Sequence, residues 1–321
     1  MVYDIRIGNY KLAMLESVEI HKSVDLLTST ATVVVPAVVY NQSLDHEKYV
    51  KVGDTISIQL GYDDELVSEF TGFVQRIDTD DDSLTFNCED SMYLTRKSVA
   101  NKQFLNTTVK EIAQYCMSEL KIGGSQIGLK NIDCSYDITY QKFVINNANA
   151  FDVLKKLKED TKASIYMIGD TLHIHPPYVE KGGDVVYDFS VNIESSDLKY
   201  RKKDDRKFEV QVDGVGLDGK KKKIVVGTTG GEKRTVKVTS PMSDADLKKR
   251  GESELEYLTY DGYEGSVMGW LIPFVAPTYS AKIIDSDYEY KTGTYYVTAV
   301  TTTFDENGGV RKVEIGKKVS N

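Results

Sequence analysis

Alternation of apolar and polar positions dominates the first hundred residues and predicts a compact all-β unit of about six strands. The stretch "ESVEIHKSVDLLTSTATVVVP" alternates until Pro36 ends the run. Residues 54–60 and 69–77 are predicted to pair as a hairpin across an acidic turn. A further strand over 84–88 places Leu84 and Phe86 on one face.

The layout of this hairpin returns near the C-terminus. The stretch "GDTISIQLGYDDELVSEFTGFVQRID" reads as strand, acidic turn, a Thr71-Gly72 step and a second strand. The stretch "SAKIIDSDYEYKTGTYYVTAV" has the same order, with its step at Thr292-Gly293. The chain either uses one structural unit twice or repeats ordinary hairpin chemistry.

Three amphipathic helices interrupt the strands. Each is predicted to begin at a residue whose side chain can cap it, with an acid three residues later. These pairs are Thr108 with Glu111, Asn149 with Asp152, and Ser243 with Asp246. Gly123-Gly124 is expected to end the first helix. Gly251 is expected to weaken the third, at about 244–259, by roughly 1 kcal/mol relative to Ala.

The rest of the chain is again predicted to be β. Asp-Gly turns are expected at 213 and 218, and "GTTGG" at 227–231 is interpreted as a hairpin tip. Strands are predicted at 265–272, 280–285, 294–304 and 310–316, with a turn at 305–309.

Composition narrows the possible functions. The chain has 321 residues and a net charge of −9. Phosphate binding relies on Lys and Arg, so no stable nucleic-acid binding is expected. It has no run of 18 apolar residues, so no membrane insertion is expected. The three Cys are widely spaced, which favours buried free thiols over disulfides or a zinc knuckle.

Four short stretches are candidates for chemistry. His173 and His175 point to the same strand face, as a two-His metal site requires, but no third ligand is evident, and packing before two prolines is the favoured interpretation. The acids of Asp78–Ser83 lack the pattern of a calcium loop and are interpreted as a solvated turn. Lys220–Lys223 are interpreted as a soluble loop tip or a protected strand edge, and "GTTGG" lacks the ending of a phosphate loop.

Nothing in the sequence indicates catalysis. We find no Gly-x-Ser-x-Gly motif and no Cys near a His in a known pattern. The sequence therefore predicts no catalytic residues, no metal and no cofactor.

Several stretches, in order, resemble phage baseplate hub proteins, a family that includes the late control D proteins and the N-terminal part of type VI secretion spike proteins. Gly53-Asp54 and Phe70-Thr71-Gly72 resemble the signature of that family. "LTFNCEDSMYLTRK", "TTVKEIAQYCMSEL", "NAFDVLKKLKEDTKASIYMIGDTLHI" and "GTYYVTAVTTTFDENGGVRKVEIGKKV" resemble the strands, helices and hairpins that follow. The chain departs from the family at "VAPTYSAKI", where a Pro-Gly or Gly turn is common, and it carries no spike or lysozyme extension.

The resemblance implies a mainly β (α+β) fold with two tail-tube-like β-barrel units and a small α+β insert. The expected domains are a first barrel at 1–98, an insert at 99–177 and a second barrel at 178–321. Two barrels per chain would let a homotrimer present six, joining a threefold spike to a sixfold tube. The implied partners are the spike, the tail-tube protein and other baseplate proteins, in a virion tail or a bacterial injection apparatus. The hairpins carrying Thr71-Gly72 and Thr292-Gly293 are candidates for subunit contacts.

Two other functions remain open at this point. A tail-associated peptidoglycan hydrolase would need a cleft with convergent carboxylates or a zinc triad. A carbohydrate-binding module would need some of the 21 Tyr in an exposed row.

Overall fold

The computed structural model describes residues 2–39, 42–43, 48–63, 65–122, 125–126, 131–179 and 182–320. The predicted mainly β fold is confirmed. Its described helices are α1 (Val109–Glu119), α2 (Ala150–Thr161) and α3 (Asp244–Leu258), and they begin after the predicted caps Thr108, Asn149 and Ser243. The expected helix end at Gly123-Gly124 lies outside the described residues.

The described strands run through the whole chain. Those before α1 are β1 (Val2–Ile7), β2 (Tyr10–Lys11), β3 (Ser17–Ser23), β4 (Thr30–Pro36), β5 (Val38–Val39), β6 (Gln42–Ser43), β7 (Thr55–Tyr62), β8 (Glu65–Thr79), β9 (Ser83–Glu89) and β10 (Lys102–Thr108). The next eight strands, which follow α1, are β11 (Lys121–Ile122), β12 (Ser125–Gln126), β13 (Asn131–Cys134), β14 (Thr139–Ile145), β15 (Ser164–Ile168), β16 (Thr171–His175), β17 (Asp184–Asp188) and β18 (Ser195–Ser196). The remainder are β19 (Lys199–Arg201), β20 (Phe208–Val215), β21 (Lys221–Gly227), β22 (Glu232–Lys237), β23 (Gly262–Glu264), β24 (Ser266–Trp270), β25 (Ser280–Ile284), β26 (Gly293–Asp305) and β27 (Gly308–Ser320).

The chain divides into two compact units. Unit 1 comprises residues 1–93, 180–199 and 263–321, and unit 2 comprises 94–179 and 200–262. The second barrel was expected to span 178–321, whereas 200–262 belongs to the same compact unit as the helical insert. The segment contacts the insert directly: α3 packs on α2, the Ser240 hydroxyl donates to the Asp160 carboxylate at 2.9 Å, and the Tyr136 and Ser253 hydroxyls are hydrogen-bonded at 2.7 Å.

Unit 1 contains the same strand order twice. Its first half runs β3-β4-β9-β8-β7-β1 across the sheet, and its second half runs β18-β24-β27-β26-β25-β17. When the six strands of each half are numbered in chain order, both halves give the same series of numbers across the sheet. The hairpin β7–β8 therefore occupies the same place as β25–β26, the two stretches that the sequence pattern relates. The halves differ at one end, where β1 is antiparallel to β7 and β17 is parallel to β25.

Strand β26 joins the two halves into one sheet. Its first residues, Gly293 to Tyr296, pair with β25, and Ala299 to Phe304 pair with β3 along the same edge. Irregularities in its pairing with β27 lie between Thr294 and Ala299, where β26 changes partner. A bulge increases the bend and twist of a strand, which lets one strand serve two neighbours.

The core of the first half is completed by the second. Alternation along β4 buries Ala31, Val33 and Val35, and leaves Thr30, Thr32 and Val34 on the other face. Leu271 and Phe304, from the second half, are buried in the same apolar cluster. Burial of these side chains gives the two halves a common source of stability.

Unit 2 contains the three helices and several short sheets. One is the three-stranded sheet β13-β16-β15, and another is β21-β20-β22, against which α3 packs. Gly251 of α3 lies so close to β20 and β21 that a Cβ there would be 2.9 Å from Val226 Cγ2 and 3.1 Å from Val212 Cγ2. The sequence analysis treated this glycine only as a weak point of the helix, but it permits the close helix–sheet contact.

Two predicted turns in unit 2 are wrong. Asp213-Gly214 lies inside β20, where Gly214 faces Leu247 of α3, and only Asp218-Gly219 forms a turn. "GTTGG" does not close a hairpin, because β21 and β22 both pair with β20 and not with each other. Turn residues report only on the local chain, so they could not predict that β20 is the central strand of its sheet.

Candidate functional site

The Gly53-Asp54 motif joins the turn before β7 to strand β8. The Gly53 N–H donates to the Val74 carbonyl at 2.8 Å, and the Val74 N–H donates to the Asp54 carbonyl at 2.9 Å. Gly53 has φ +92°, a conformation that glycine adopts without strain. The Asp54 carboxylate accepts from the Lys51 N–H at 2.8 Å, which fixes the turn.

The Phe70-Thr71-Gly72 motif lies where β8 passes from β7 to β9. Phe70 is buried opposite Ile58, and Thr71 is exposed. A Cβ on Gly72 would lie 2.1 Å from the Glu89 carbonyl oxygen, so only glycine allows this approach of the two strands. The motif thus has a packing role in the first half.

The second step, Thr292-Gly293, lies at the other end of its hairpin. Gly72 pairs with Ile56 far from the turn, whereas Gly293 pairs with Ile283 beside the turn. The Thr292 hydroxyl accepts from the Asp285 N–H at 3.1 Å and closes that turn. The two hairpins therefore match in sheet position, while their Thr-Gly steps do not match in register. A role of either hairpin at a subunit contact stays a prediction.

One face of the shared sheet presents two rows of exposed or half-buried side chains, which we call the polar face. The rows cross both halves through the β26–β3 pairing, and their register brings residues from opposite ends of the chain side by side. One row contains Met268, Lys312, Thr301, His21, Thr30 and Glu89, and the other contains Trp270, Val310, Thr303, Glu19, Thr32 and Asn87.

The centre of the polar face is rich in threonine and carries little charge. Within the two rows the acids are Glu19 and Glu89 and the basic side chain is Lys312, and the next residue in register on β8, Arg76, forms an ion pair with Asp78. Between the halves, the His21 Nδ1 and the Thr301 hydroxyl are hydrogen-bonded at 3.0 Å. A surface of this composition offers few groups that could hold phosphates.

A buried ion pair lies beneath this sheet. The Arg311 guanidinium donates to the Glu69 carboxylate, and only 1% and 3% of these residues are exposed. Arg311 also donates to the Leu271 carbonyl at 2.5 Å and the Pro273 carbonyl at 2.8 Å. Sequence reasoning missed this pair, since each residue lies in a strand without a local motif and the two are 242 positions apart.

An exposed apolar patch lies at one end of the polar face. Trp270 is 67% exposed and Ile272 64% exposed. The segment that contains Val191, 79% exposed, runs beside β24, because Glu194 N–H donates to the Met268 carbonyl. Among the described strands, β18 pairs with Val267 and Met268 only and does not reach Trp270 along that edge. We call Val191, Met268, Trp270 and Ile272 the β24 patch.

The other sequence candidates lie apart from the polar face. The acids Asp80, Asp81 and Asp82 are exposed in the β8–β9 turn. In unit 2, Lys220 pairs with Asp218 at 3.1 Å and Lys222 with Asp244 at 2.8 Å.

The buried histidines and cysteines are also placed by the structure. His173 and His175 are buried on one face of β16. Cys88 and Cys116 are buried free thiols, as expected, and burial raises the pKa of each to about 12, whereas the free thiol of Cys134 is only half-buried. No helix within the described parts of the chain has both the length and the apolar character needed to cross a membrane.

Comparison with solved structures identifies the architecture. The chain is similar to the 43 kDa tail protein of prophage MuSo2 from Shewanella oneidensis, with a TM-score of 0.67, 14% identity and 98% of each chain covered. The chain has a phage baseplate hub-like fold.

Two further structures extend this likeness. The tail protein from Neisseria meningitidis MC58 superposes with a TM-score of 0.68 at 13% identity, covering 98% of this hub-like chain and 95% of the other. The E. coli c3393 protein, a component of the type VI secretion system, gives a TM-score of 0.59 at 10% identity, covering 99% and 79%. No family model and no curated protein matches the sequence.

Proposed function

We propose that this chain is a structural baseplate hub protein that assembles as a homotrimer and adapts a threefold spike to a sixfold tail tube. The observation that carries the proposal is the strand order present twice in unit 1. Three chains with two equivalent halves each supply six similar surfaces around one axis, which is what a threefold-to-sixfold adaptor requires.

The polar face is the surface that we assign to the central passage. It runs without interruption across both halves, so a ring of three chains would present a continuous wall. Its threonines and its balance of Glu19, Glu89 and Lys312 would not retain DNA or an acidic protein in transit. The tail-tube protein and the spike would contact the two rims of this wall, with other baseplate proteins outside.

The β24 patch is the surface that we assign to the contact between copies. Its exposed side chains include the sole Trp of the sequence, and large aromatic residues are enriched at subunit interfaces. The patch lies on a strand whose edge is only partly covered by β18, and such an edge can pair with a second chain. A second copy of this chain is therefore its proposed occupant.

A non-enzymatic role fits the architecture better than the two alternatives. The solved structures of similar fold named above are tail and secretion-system proteins. A carbohydrate-binding module would need an exposed row of Tyr; Tyr49, Tyr288 and Tyr290 are exposed, but Tyr140, Tyr263, Tyr295 and Tyr296 are among the largest fully buried side chains. The proposed location is a virion tail or an injection apparatus.

The proposal is tested by the mass of the purified full chain, alone and with a trimeric spike protein, by native mass spectrometry and light scattering. We expect a complex with three copies of the chain, and a ring with six similar lobes in electron micrographs. The variant Trp270→Ser should stay folded and fail to assemble, while the control Leu217→Ser, at an exposed position of unit 2, should assemble normally.

A strictly monomeric chain at micromolar concentration in the presence of the spike would contradict the trimer. A ring with another copy number would contradict the adaptor role. A trimer that tolerates Trp270→Ser would leave the adaptor role standing and refute the assigned contact.

A further inference from the structure

The sequence shows two candidate metal ligands on β16, and the fold supplies a third. Strand β13 runs parallel to β16, with Asp133 directly opposite His173. His175 is two residues further along β16, on the same face as His173. This register places Asp133 beside two histidines that lie about forty residues later in the chain.

The three ligand atoms form a nearly equilateral triangle. His173 Nδ1 lies 3.3 Å from His175 Nε2, and Asp133 Oδ2 lies 3.4 Å from the first nitrogen and 3.6 Å from the second. Zinc bonds to nitrogen and oxygen are about 2.0–2.2 Å long, so tetrahedral ligands are separated by about 3.3–3.6 Å. The spacing of the three atoms is therefore that of three ligands of one tetrahedral zinc ion. Both carboxylate–imidazole distances are longer than ordinary hydrogen bonds.

The surroundings hold both rings in place. The Ser135 hydroxyl and His175 Nδ1 are hydrogen-bonded at 2.6 Å. In the tautomer with the proton on Nδ1, the Nδ1–H donates to this hydroxyl and the lone pair of Nε2 is the one that binds a metal. The Tyr166 ring stacks on His173 with 5.3 Å between centroids and 2° between planes. Burial of His173 and His175 lowers the entropy lost when a metal orders them.

We propose that Asp133 Oδ2, His173 Nδ1 and His175 Nε2 bind one divalent transition-metal ion, Zn²⁺. Two imidazoles and one carboxylate are a ligand set that Zn²⁺ accepts, with water as the fourth ligand. The Asp133 side chain is 40% exposed and lines a shallow cleft with Lys110, Gln114 and Thr171.

The role of the ion is structural. It connects β13 to the β15–β16 hairpin, whose strands form one sheet of unit 2. Among the described residues, no further His, Cys, Asp or Glu joins this cluster, so it supplies no general base of the kind that metalloproteases place beside a zinc-bound water. The metal is independent of the hub proposal, because it acts within unit 2.

The test uses the full chain, stripped of metal and kept reduced, titrated with Zn²⁺ by calorimetry and with Co²⁺ by visible absorption. We expect one ion per chain, a Co²⁺ spectrum of tetrahedral type and a higher melting temperature with Zn²⁺. Asp133→Asn and His173→Gln should abolish stoichiometric binding. Ser135→Ala should weaken it about 10-fold, because the hydroxyl only orients His175.

The matched control is His21→Gln, a histidine of unit 1, which should bind as the wild type does. Circular dichroism shows whether each variant is folded, and Asp133→Asn is the decisive one because its side chain is partly exposed. Failure of the folded wild type to bind one ion overturns the site. Binding that survives in folded Asp133→Asn overturns the ligand assignment. Zinc-dependent hydrolysis of purified peptidoglycan, lost in Asp133→Asn, would overturn the structural role.

Discussion

Arg311 on the last strand forms a buried ion pair with Glu69 on β8, and so connects the second half of unit 1 to the first. The guanidinium also binds the Leu271 and Pro273 carbonyls, and it lies 5.2 Å from the Phe274 ring centroid. Leu271 is itself buried in the core of the first half. Arg311 therefore adds a buried ionic contact between the two halves, which the pairing of β26 with β3 joins into a single sheet.

Removal of one partner of this pair should strongly destabilise the protein. Glu69→Gln leaves the Arg311 charge buried without a counter-charge, a change that typically costs about 3–5 kcal/mol. Urea unfolding followed by circular dichroism measures the loss. The control Asp78→Ala breaks an exposed ion pair with Arg76 and should cost less than about 1 kcal/mol. Equal costs for the two variants would show that the buried pair does not stabilise the joint.

Gly251→Ala should destabilise unit 2, although alanine is the better helix former by about 1 kcal/mol. The added methyl group would meet Val226 Cγ2 at 2.9 Å, and overpacking of this kind costs about 1–3 kcal/mol. Thermal unfolding measures the change, with Glu252→Ala, at an exposed position of the same helix, as the control. Adding Val226→Ala to Gly251→Ala should restore part of the loss. If the Gly251→Ala variant is more stable than the wild type, the gain in helix propensity outweighs the cost of overpacking.

Stability should fall as the pH rises through the titration of Asp90. Burial raises the pKa of Asp90 from 3.8 to about 6, although Ser29 and Met92 N–H groups donate to its carboxylate. The native state therefore binds more protons than the unfolded state between about pH 4 and 6, and this contribution, about 3 kcal/mol, is lost above that window.

Urea unfolding of the wild type and of Asp90→Asn at a series of pH values checks this expectation. The Asn variant should lose the downward slope between pH 4 and 6. Asp81→Asn, which replaces an exposed acid of the same unit, is the control. Parallel pH curves for wild type and Asp90→Asn would show that Asp90 does not titrate in this range.

The sole Trp of the chain should report on assembly. Trp270 is 67% exposed, so we expect the isolated chain to emit at long wavelength and to be readily quenched by iodide. If the β24 patch is the contact between copies, trimer formation should shift the emission to shorter wavelength and protect it from iodide. An unchanged spectrum in a trimer of verified mass would place the contact elsewhere.

The chain should not bind duplex DNA at physiological salt, because its net charge is −9 and the polar face has little positive charge. Replacing Thr32 and Thr301 with Lys should create salt-sensitive binding if the polar face lines a passage that DNA can enter. Fluorescence anisotropy with labelled duplex measures both. Micromolar binding by the wild type that disappears with added salt, and also when Lys220–Lys223 become Ser, would contradict this expectation.

The sequence by itself determined where the helices of this protein begin and which faces of its strands are buried. Helices α1, α2 and α3 begin at Thr108, Asn149 and Ser243 because their caps satisfy N–H groups only a few residues away. The strands of the two related hairpins follow from alternation, since neighbouring side chains must face opposite sides of a sheet.

Only the tertiary structure decided which strands are neighbours. The pairing of β26 with β3, the ion pair of Arg311 with Glu69 and the approach of Asp133 to His173 all depend on register between distant segments. A strand's apolar pattern specifies its buried face but not its partner, because many strands of similar pattern could cover that face. Gly251 is a second example, because whether a glycine there stabilises the fold depends on the closeness of Val226 on another element.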